Sequence, residues 1–107
     1  MPNRGEVWLV DLGMIAKVRP CLVISIPVDN LNDRVLTTVV PHTTSTRGSR
    51  FEVVLNLSNL KPGAFDTQNI ITIPASKLIR KITSIDQHQM VLIEQSVQFW
   101  LGLDPKD

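Results

Sequence analysis

The sequence predicts a mainly β protein closed by one C-terminal helix, and three observations carry that reading. Short β-branched runs bounded by Gly, Pro and Asn/Asp recur as far as Ile85. A stretch beginning near Asp86 then switches to helical spacing. With 43% apolar and 20% charged residues and no low-complexity segment, the chain has the composition of a folded protein rather than a disordered one. Many short strands followed by one amphipathic helix describe a small, strongly curled antiparallel sheet or barrel plugged by that helix. At 107 residues the chain is long enough for one compact domain and too short for two, so residues 1–107 are read as a single domain.

The elements follow in order. Glu6 to Leu12, EVWLVDL, is bracketed by Gly5 and Gly13 and is apolar on both faces, as in a mostly buried strand. A short loop, Gly13 to Val18, leads to Cys21–Ile26, a β-branched run between Pro20 and Pro27. The Asn/Asp-rich VDNLNDR reads as a turn, and Val35–Val40 as a third strand ending at Pro41. After the polar stretch His42–Arg50, FEVVL gives a fourth strand, and Asn69–Ile73 with Leu78–Ile82 bring the count to five or six. Asp86 and Gln89 form a capping box, with Ile85 and Met90 as a hydrophobic staple. Met90, Ile93, Val97, Trp100 and Leu101 recur at helical spacing, and Gly102 stands at the C-cap. That stripe reads as core packing, and Trp8 and Trp100 as core or dimer contacts rather than base-stacking platforms, a role left to Phe51 and Phe65.

Composition narrows the function classes. MPNRGEVWLVDLG lacks the pattern of a secretory signal, and no apolar run approaches a membrane span. Cys21 is the only cysteine and lies among apolar neighbours, which predicts a buried, inert thiol, no disulfide and a cytoplasmic protein. The net charge of +1 does not announce a nucleic-acid partner. Its distribution says more: Arg34–Arg50 holds three arginines and no acid, and Thr67–Ile85 holds Lys77, Arg80 and Lys81 with no acid. These stretches form either one phosphate-attracting face or ordinary solvated surface.

Two segments are hard to explain as scaffold. Lys17-Val18-Arg19-Pro20 places a guanidinium at the entrance of an apolar strand, where it aims a donor fork at a phosphate or pairs with a carboxylate such as Asp11 or Glu52. Pro41-His42-Thr43-Thr44-Ser45-Thr46-Arg47-Gly48 releases hydroxyls and backbone amides from a strand end, either as phosphate donors or as a polar loop of local Ser/Thr turns.

Together, G-E-V-W-L-V-D-L, R-P-C-L-V-I-S and V-V-P-H-T-T-S-T-R-G-S-R-F-E-V-V-L, in that order, resemble the MazF/PemK family of toxin ribonucleases from end to end. The resemblance implies an SH3-like barrel of the MazF/PemK/CcdB type, a homodimer, and sequence-specific cleavage of single-stranded RNA without metal or cofactor. It further implies products with a 2′,3′-cyclic phosphate and a 5′-hydroxyl, and an antitoxin that blocks the RNA groove. On the matching motifs, Arg19 falls at the scissile phosphate and Thr43 at the residue that orients or stabilises it.

Transesterification through a 2′-hydroxyl also needs a base. The Gly13–Val18 loop is shorter than in well-known members and holds no carboxylate. In the segment where another branch of the family carries a catalytic acid, Gln68 replaces the acid and Ile71 an arginine, and only a two-residue shift brings Asp66 into play. His42, adjacent to Thr43 and titrating near neutral pH, is the other candidate and is preferred, provided the strand has ended before it. Lys17, Thr44, Ser45, Thr46, Arg47, Arg50 and Gln68 are the expected RNA-binding residues. The competing reading is a non-catalytic binding protein on the same barrel that inhibits a protein target such as gyrase.

Overall fold

The computed structural model describes residues 2–103. Its strands are β1 (Glu6–Asp11), β2 (Val18–Val23), β3 (Leu36–Thr43), β4 (Glu52–Val53), β5 (Ala64–Asp66), β6 (Ile71–Pro74) and β7 (Leu78–Ser84). A one-turn helix α1 (Gly13–Ala16) joins β1 to β2, and α2 (Gln87–Leu101) follows β7. All pairings are antiparallel, in the order β4-β5-β3-β2-β1-β7, with β6 paired to β3. The fold is thus mainly β with a C-terminal helix, as the sequence predicts. No helix among the described residues is long and apolar enough to cross a membrane.

The differences from expectation are local and have non-local causes. β2 begins at Val18 rather than Cys21 because Val18 and Arg19 pair with Asp11 and Val10. FEVVL contracts to Glu52–Val53, and β5, too short to show a period, appears because its residues pair with both β3 and β4. The sheet therefore has seven strands rather than five or six. Asn69–Ile73 divides into a 3₁₀ turn at Thr67–Asn69, capped by Asp66, and β6.

Helix α2 carries both expected end signals. Asp86 accepts from the Gln89 amide at 2.8 Å while the Gln89 side chain accepts from the Asp86 amide at 3.0 Å. Gly102 is left-handed at φ +69°, which lets the Gly102 and Leu103 amides reach the Phe99 and Gln98 carbonyls.

Period-2 alternation splits the core in two. One sheet face sends Val7, Leu22, Val40 and Phe65 against Met90 and Ile93 of α2 and against Leu55. The other gathers Val10, Cys21, Val23, Val39 and Ile73, with Trp8, Leu12 and Leu78 at its margin. The Thr67 hydroxyl, fully buried, meets the Phe51 carbonyl at 2.7 Å and the Ser96 hydroxyl at 2.7 Å, tying α2 to the turn after β5. Met90 and Ile93 are buried, but Trp100 at the far end of the helix stripe stays 42% exposed while packing edge-on to Phe51, so the stripe runs out of core before it ends.

Candidate functional site

The second sheet face does not end in apolar core. Cys21 pairs with Pro41 and Leu22 with Val40, so extending that register by two residues sets Arg19 opposite Thr43. Both side chains therefore share the face of Cys21, Val23 and Val39. On the other edge of β3, Thr43 pairs with Ala64, and Glu52 pairs with Asp66, which lies two residues beyond Ala64 on the same face. The result is a cleft of about 700 Å³. Its polar wall includes Thr43, Ser45, Arg47, Glu52, Asp66 and Gln68, its apolar wall is formed by Leu12, Ile15, Ala16 and Ile71, and Arg19 also faces it.

Arg19 is aimed by its neighbours. Its Nε donates to the Ala16 carbonyl at 2.9 Å, which turns the guanidinium back over α1. The intervening Lys17 holds φ +60° and ψ −155°, a region other residues leave to glycine and that costs about 1–3 kcal/mol. Among the described residues the ion pairs are Arg4–Glu94 and Lys81–Glu6, so neither the Arg19 nor the Arg47 guanidinium has a carboxylate partner among them. Pairing of Arg19 with Asp11 or Glu52, the structural alternative for that arginine, is not formed. Asp11 instead accepts from the Gly13 amide at 2.9 Å, and Glu52 accepts from the Arg47 and Ser49 amides.

Thr43 Oγ1 accepts from the Ser45 amide at 3.0 Å, which fixes its rotamer at the point where the chain leaves β3. Asp66 caps the following turn by accepting from the Gln68 amide at 3.2 Å and from the Asn69 carboxamide. Two carboxylate oxygens offer about four acceptor sites, so capacity is left for a ligand hydroxyl.

His42 is placed differently from expectation. The strand has not ended before it: β3 runs through Thr43, so alternation turns His42 to the opposite face. It is 4% exposed and meets Phe65 edge-on at 5.0 Å, within the face packed against α2, and it does not line the cleft. Burial lowers its pKa from the usual histidine value. Of the two base candidates, only Asp66 shares the cleft with Arg19 and Thr43.

The expected RNA-binding residues divide. Ser45, Arg47 and Gln68 line the cleft, whereas Lys17, Thr44, Thr46 and Arg50 are exposed outside its lining. Arg50 stacks on Phe51 and Phe99, 4.9 and 4.8 Å from the ring centroids. Phe51 and Phe65, the stacking candidates, are both buried. Cys21 is buried as expected, and burial pushes its thiol up to about 12 against a smaller opposing pull from Arg19.

Sequence reading weighed Glu52 only as an ion-pair partner for Arg19, and it missed Asn69 and Gly63. An ideal Cβ on Gly63 would lie 2.1 Å from the Thr43 carbonyl oxygen, so the backbone beside β5 touches the backbone of the site. The Pro62-Gly63 pair marks a turn, but nothing in it reveals that contact.

The model of the PemK-like, MazF-like toxins of type II toxin-antitoxin systems matches residues 3–101. The chain belongs to this family. As a MazF-like toxin it is the toxin member of a toxin-antitoxin system. No curated protein matches it in sequence. An endoribonuclease from a mycobacterial species, solved in complex with its cognate antitoxin, is 26% identical, with a TM-score of 0.82 over 97% of this chain and 98% of its own. The Mycobacterium tuberculosis toxin MazF-mt6 is 25% identical, with a TM-score of 0.76 over 92% and 98% of the two chains. A Deinococcus radiodurans MazF, 19% identical with a TM-score of 0.79 over 94% and 96%, shares the MazF fold.

Proposed function

We propose that this MazF-like toxin is an endoribonuclease that cleaves single-stranded RNA at a specific sequence, without a metal ion, by attack of the 2′-hydroxyl on the adjacent phosphate. The observation that carries the reading is a cleft that unites Arg19, Thr43 and Asp66 while leaving the Arg19 guanidinium without a carboxylate partner among the described residues. An arginine held over a cleft by its Nε alone has its two terminal nitrogens to offer to phosphate oxygens.

In this mechanism Asp66 takes the 2′-hydroxyl proton, and the 2′-oxygen forms its bond to phosphorus as the bond to the 5′-oxygen breaks. Arg19 and the Thr43 hydroxyl donate to the oxygens on which charge accumulates. The 5′-oxygen takes a proton from solvent water and leaves as a hydroxyl, and a 2′,3′-cyclic phosphate remains. Removing one preorganised donor of this kind costs about 3–4 kcal/mol, or on the order of 10²–10³ in rate. Ser45, Arg47 and Gln68 hold the flanking RNA along the polar wall.

The active assembly in this proposal is a homodimer acting in the cytoplasm, a reading supported by Phe99, Trp100 and Leu101, apolar yet 40–49% exposed at the end of α2. A cognate antitoxin restrains it by covering the cleft, by analogy with the mycobacterial relative solved with its antitoxin.

The test is incubation of the purified protein with a mixed-sequence single-stranded RNA in EDTA, followed by mapping of the ends. Site-specific cuts with cyclic phosphate termini, lost in Arg19→Ala and Asp66→Asn, are expected. A folded protein that cuts nothing across all short sequences would instead be a non-catalytic binder on the same fold.

A further inference from the structure

The loop that carries Ser45 and Arg47 into the cleft runs from Thr44 to Arg50 with no strand partner of its own. Its amides are held from either end. The Ser45 amide goes to the Thr43 hydroxyl at 3.0 Å, and the Phe51 amide to the Ser49 hydroxyl at 3.1 Å. Between those points one side chain gathers two more, those of Arg47 and Ser49. Glu52 accepts from the Arg47 amide through both carboxylate oxygens, at 3.1 and 3.0 Å, and from the Ser49 amide at 3.1 Å. Gly48, left-handed at φ +70°, bends the chain so that the amides on either side of it converge on Oε1. Successive amides arranged in this way form a concave anion site, and here the protein fills it with its own carboxylate.

From this arrangement we infer that Glu52 is a positioning residue for RNA binding: by holding the Arg47 and Ser49 amides it sets the loop that presents the Arg47 guanidinium to the cleft facing Arg19. The inference rests on the nuclease reading for its consequence, but its geometry stands on the hydrogen bonds alone. Register places Glu52 beside Asp66, which would also suit a second acid-base residue. Each carboxylate has both oxygens engaged, but Glu52 takes three contacts from two loop amides that lead to Arg47, whereas Asp66 takes two, from Gln68 and Asn69 of its own turn. Glu52 therefore acts through Arg47, on binding, rather than on the reacting atoms.

The experiment compares Glu52→Ala, Glu52→Gln, Arg47→Ala and the Glu52→Ala/Arg47→Ala pair by steady-state cleavage of a short single-stranded RNA containing the mapped site. Amide hydrogen exchange at Arg47 and Ser49 is measured in parallel. Losing a charge-assisted contact to a phosphate raises KM by about tenfold in Glu52→Ala and in Arg47→Ala. In both, kcat stays within about twofold, because the contact is made equally in ground and transition states. The double variant is no worse than Arg47→Ala, the Arg47 and Ser49 amides lose protection in Glu52→Ala, and Glu52→Gln, which keeps one acceptor oxygen, lies between.

A fall in kcat as deep in Glu52→Gln as in Glu52→Ala would overturn the inference and place Glu52 in the chemistry. So would additive effects in the double variant, or unchanged amide protection in Glu52→Ala. Should Glu52→Ala fail to fold by circular dichroism, Glu52→Gln alone and with Arg47→Ala completes the same cycle. A folded wild-type protein that cuts no RNA refutes the nuclease reading only, and amide protection together with RNA binding by the same variants then decides the inference.

Discussion

Replacing Gly63 with alanine tests whether the site depends on one backbone contact. Gly63 is not among the left-handed glycines, so alanine meets no penalty from φ. What it meets is the neighbouring strand: the added Cβ would stand 2.1 Å from the Thr43 carbonyl oxygen, 2.8 Å from His42 Cε1 and 3.0 Å from the Thr43 carbonyl carbon. An ordinary carbon–oxygen contact is about 3.3 Å or more, so the two backbones must part by roughly 1 Å. The Thr43–Ala64 pairing lies at the next residue and opens with them. Overpacking of this kind costs about 1–3 kcal/mol. In a domain of this size each kcal/mol moves Tm by about 4–8 °C, so a fall of roughly 5–20 °C is expected by differential scanning fluorimetry. If the chain cuts RNA as proposed, a displacement of about 1 Å at Thr43 lowers that cleavage by on the order of a hundredfold at a temperature where the variant is still folded. Gly102→Ala serves as control, since Gly102, at the end of α2 and outside the cleft lining, has a left-handed φ but nothing within 4 Å of its Cβ position. It carries only the backbone penalty of about 1 kcal/mol. Wild-type Tm and activity in Gly63→Ala would refute the close-contact account.

Three further outcomes follow from the structure. Burial lowers the His42 pKa below its unfolded value, so the unfolded chain takes up the extra proton as the pH drops. The stability this provides is complete above about pH 6.5 and is lost as pH falls through the folded pKa. Urea unfolding should show wild type losing more stability than His42→Gln between pH 7.5 and 5, and parallel losses would remove His42 as the source. Cys21, with its thiol pushed up to about 12 by burial, should resist iodoacetamide at pH 8 in the native state and react once denatured. Rapid alkylation without denaturant would contradict the packing of β2. Asp86→Ala removes half of the capping box and should destabilise the protein by about 1 kcal/mol, read as a lower urea midpoint at unchanged slope.

Local signals in the chain determined the fold class, the span of α2 and its two caps, and the burial of Cys21, and they nominated Arg19 and Thr43 as the site candidates. Each depends on spacing along the chain or on a motif a few residues long, so no distant contact has to be known. Tertiary structure decided the rest. β5 exists because β3 and β4 accept it, not because Ala64–Asp66 has a strand pattern of its own. Which of His42 and Asp66 faces the cleft turned on whether β3 continues past Pro41 to Thr43, since a strand that persists sends neighbouring side chains to opposite faces. The roles of Glu52 and Gly63 were hidden for the same reason: one matters for the amides it gathers across a loop, the other for the strand it touches, and neither partner is legible from sequence. The residues proposed to handle the phosphate were thus readable in the chain, while those that hold them in place emerged only from side-chain direction and strand register, which pairing across the sheet decides.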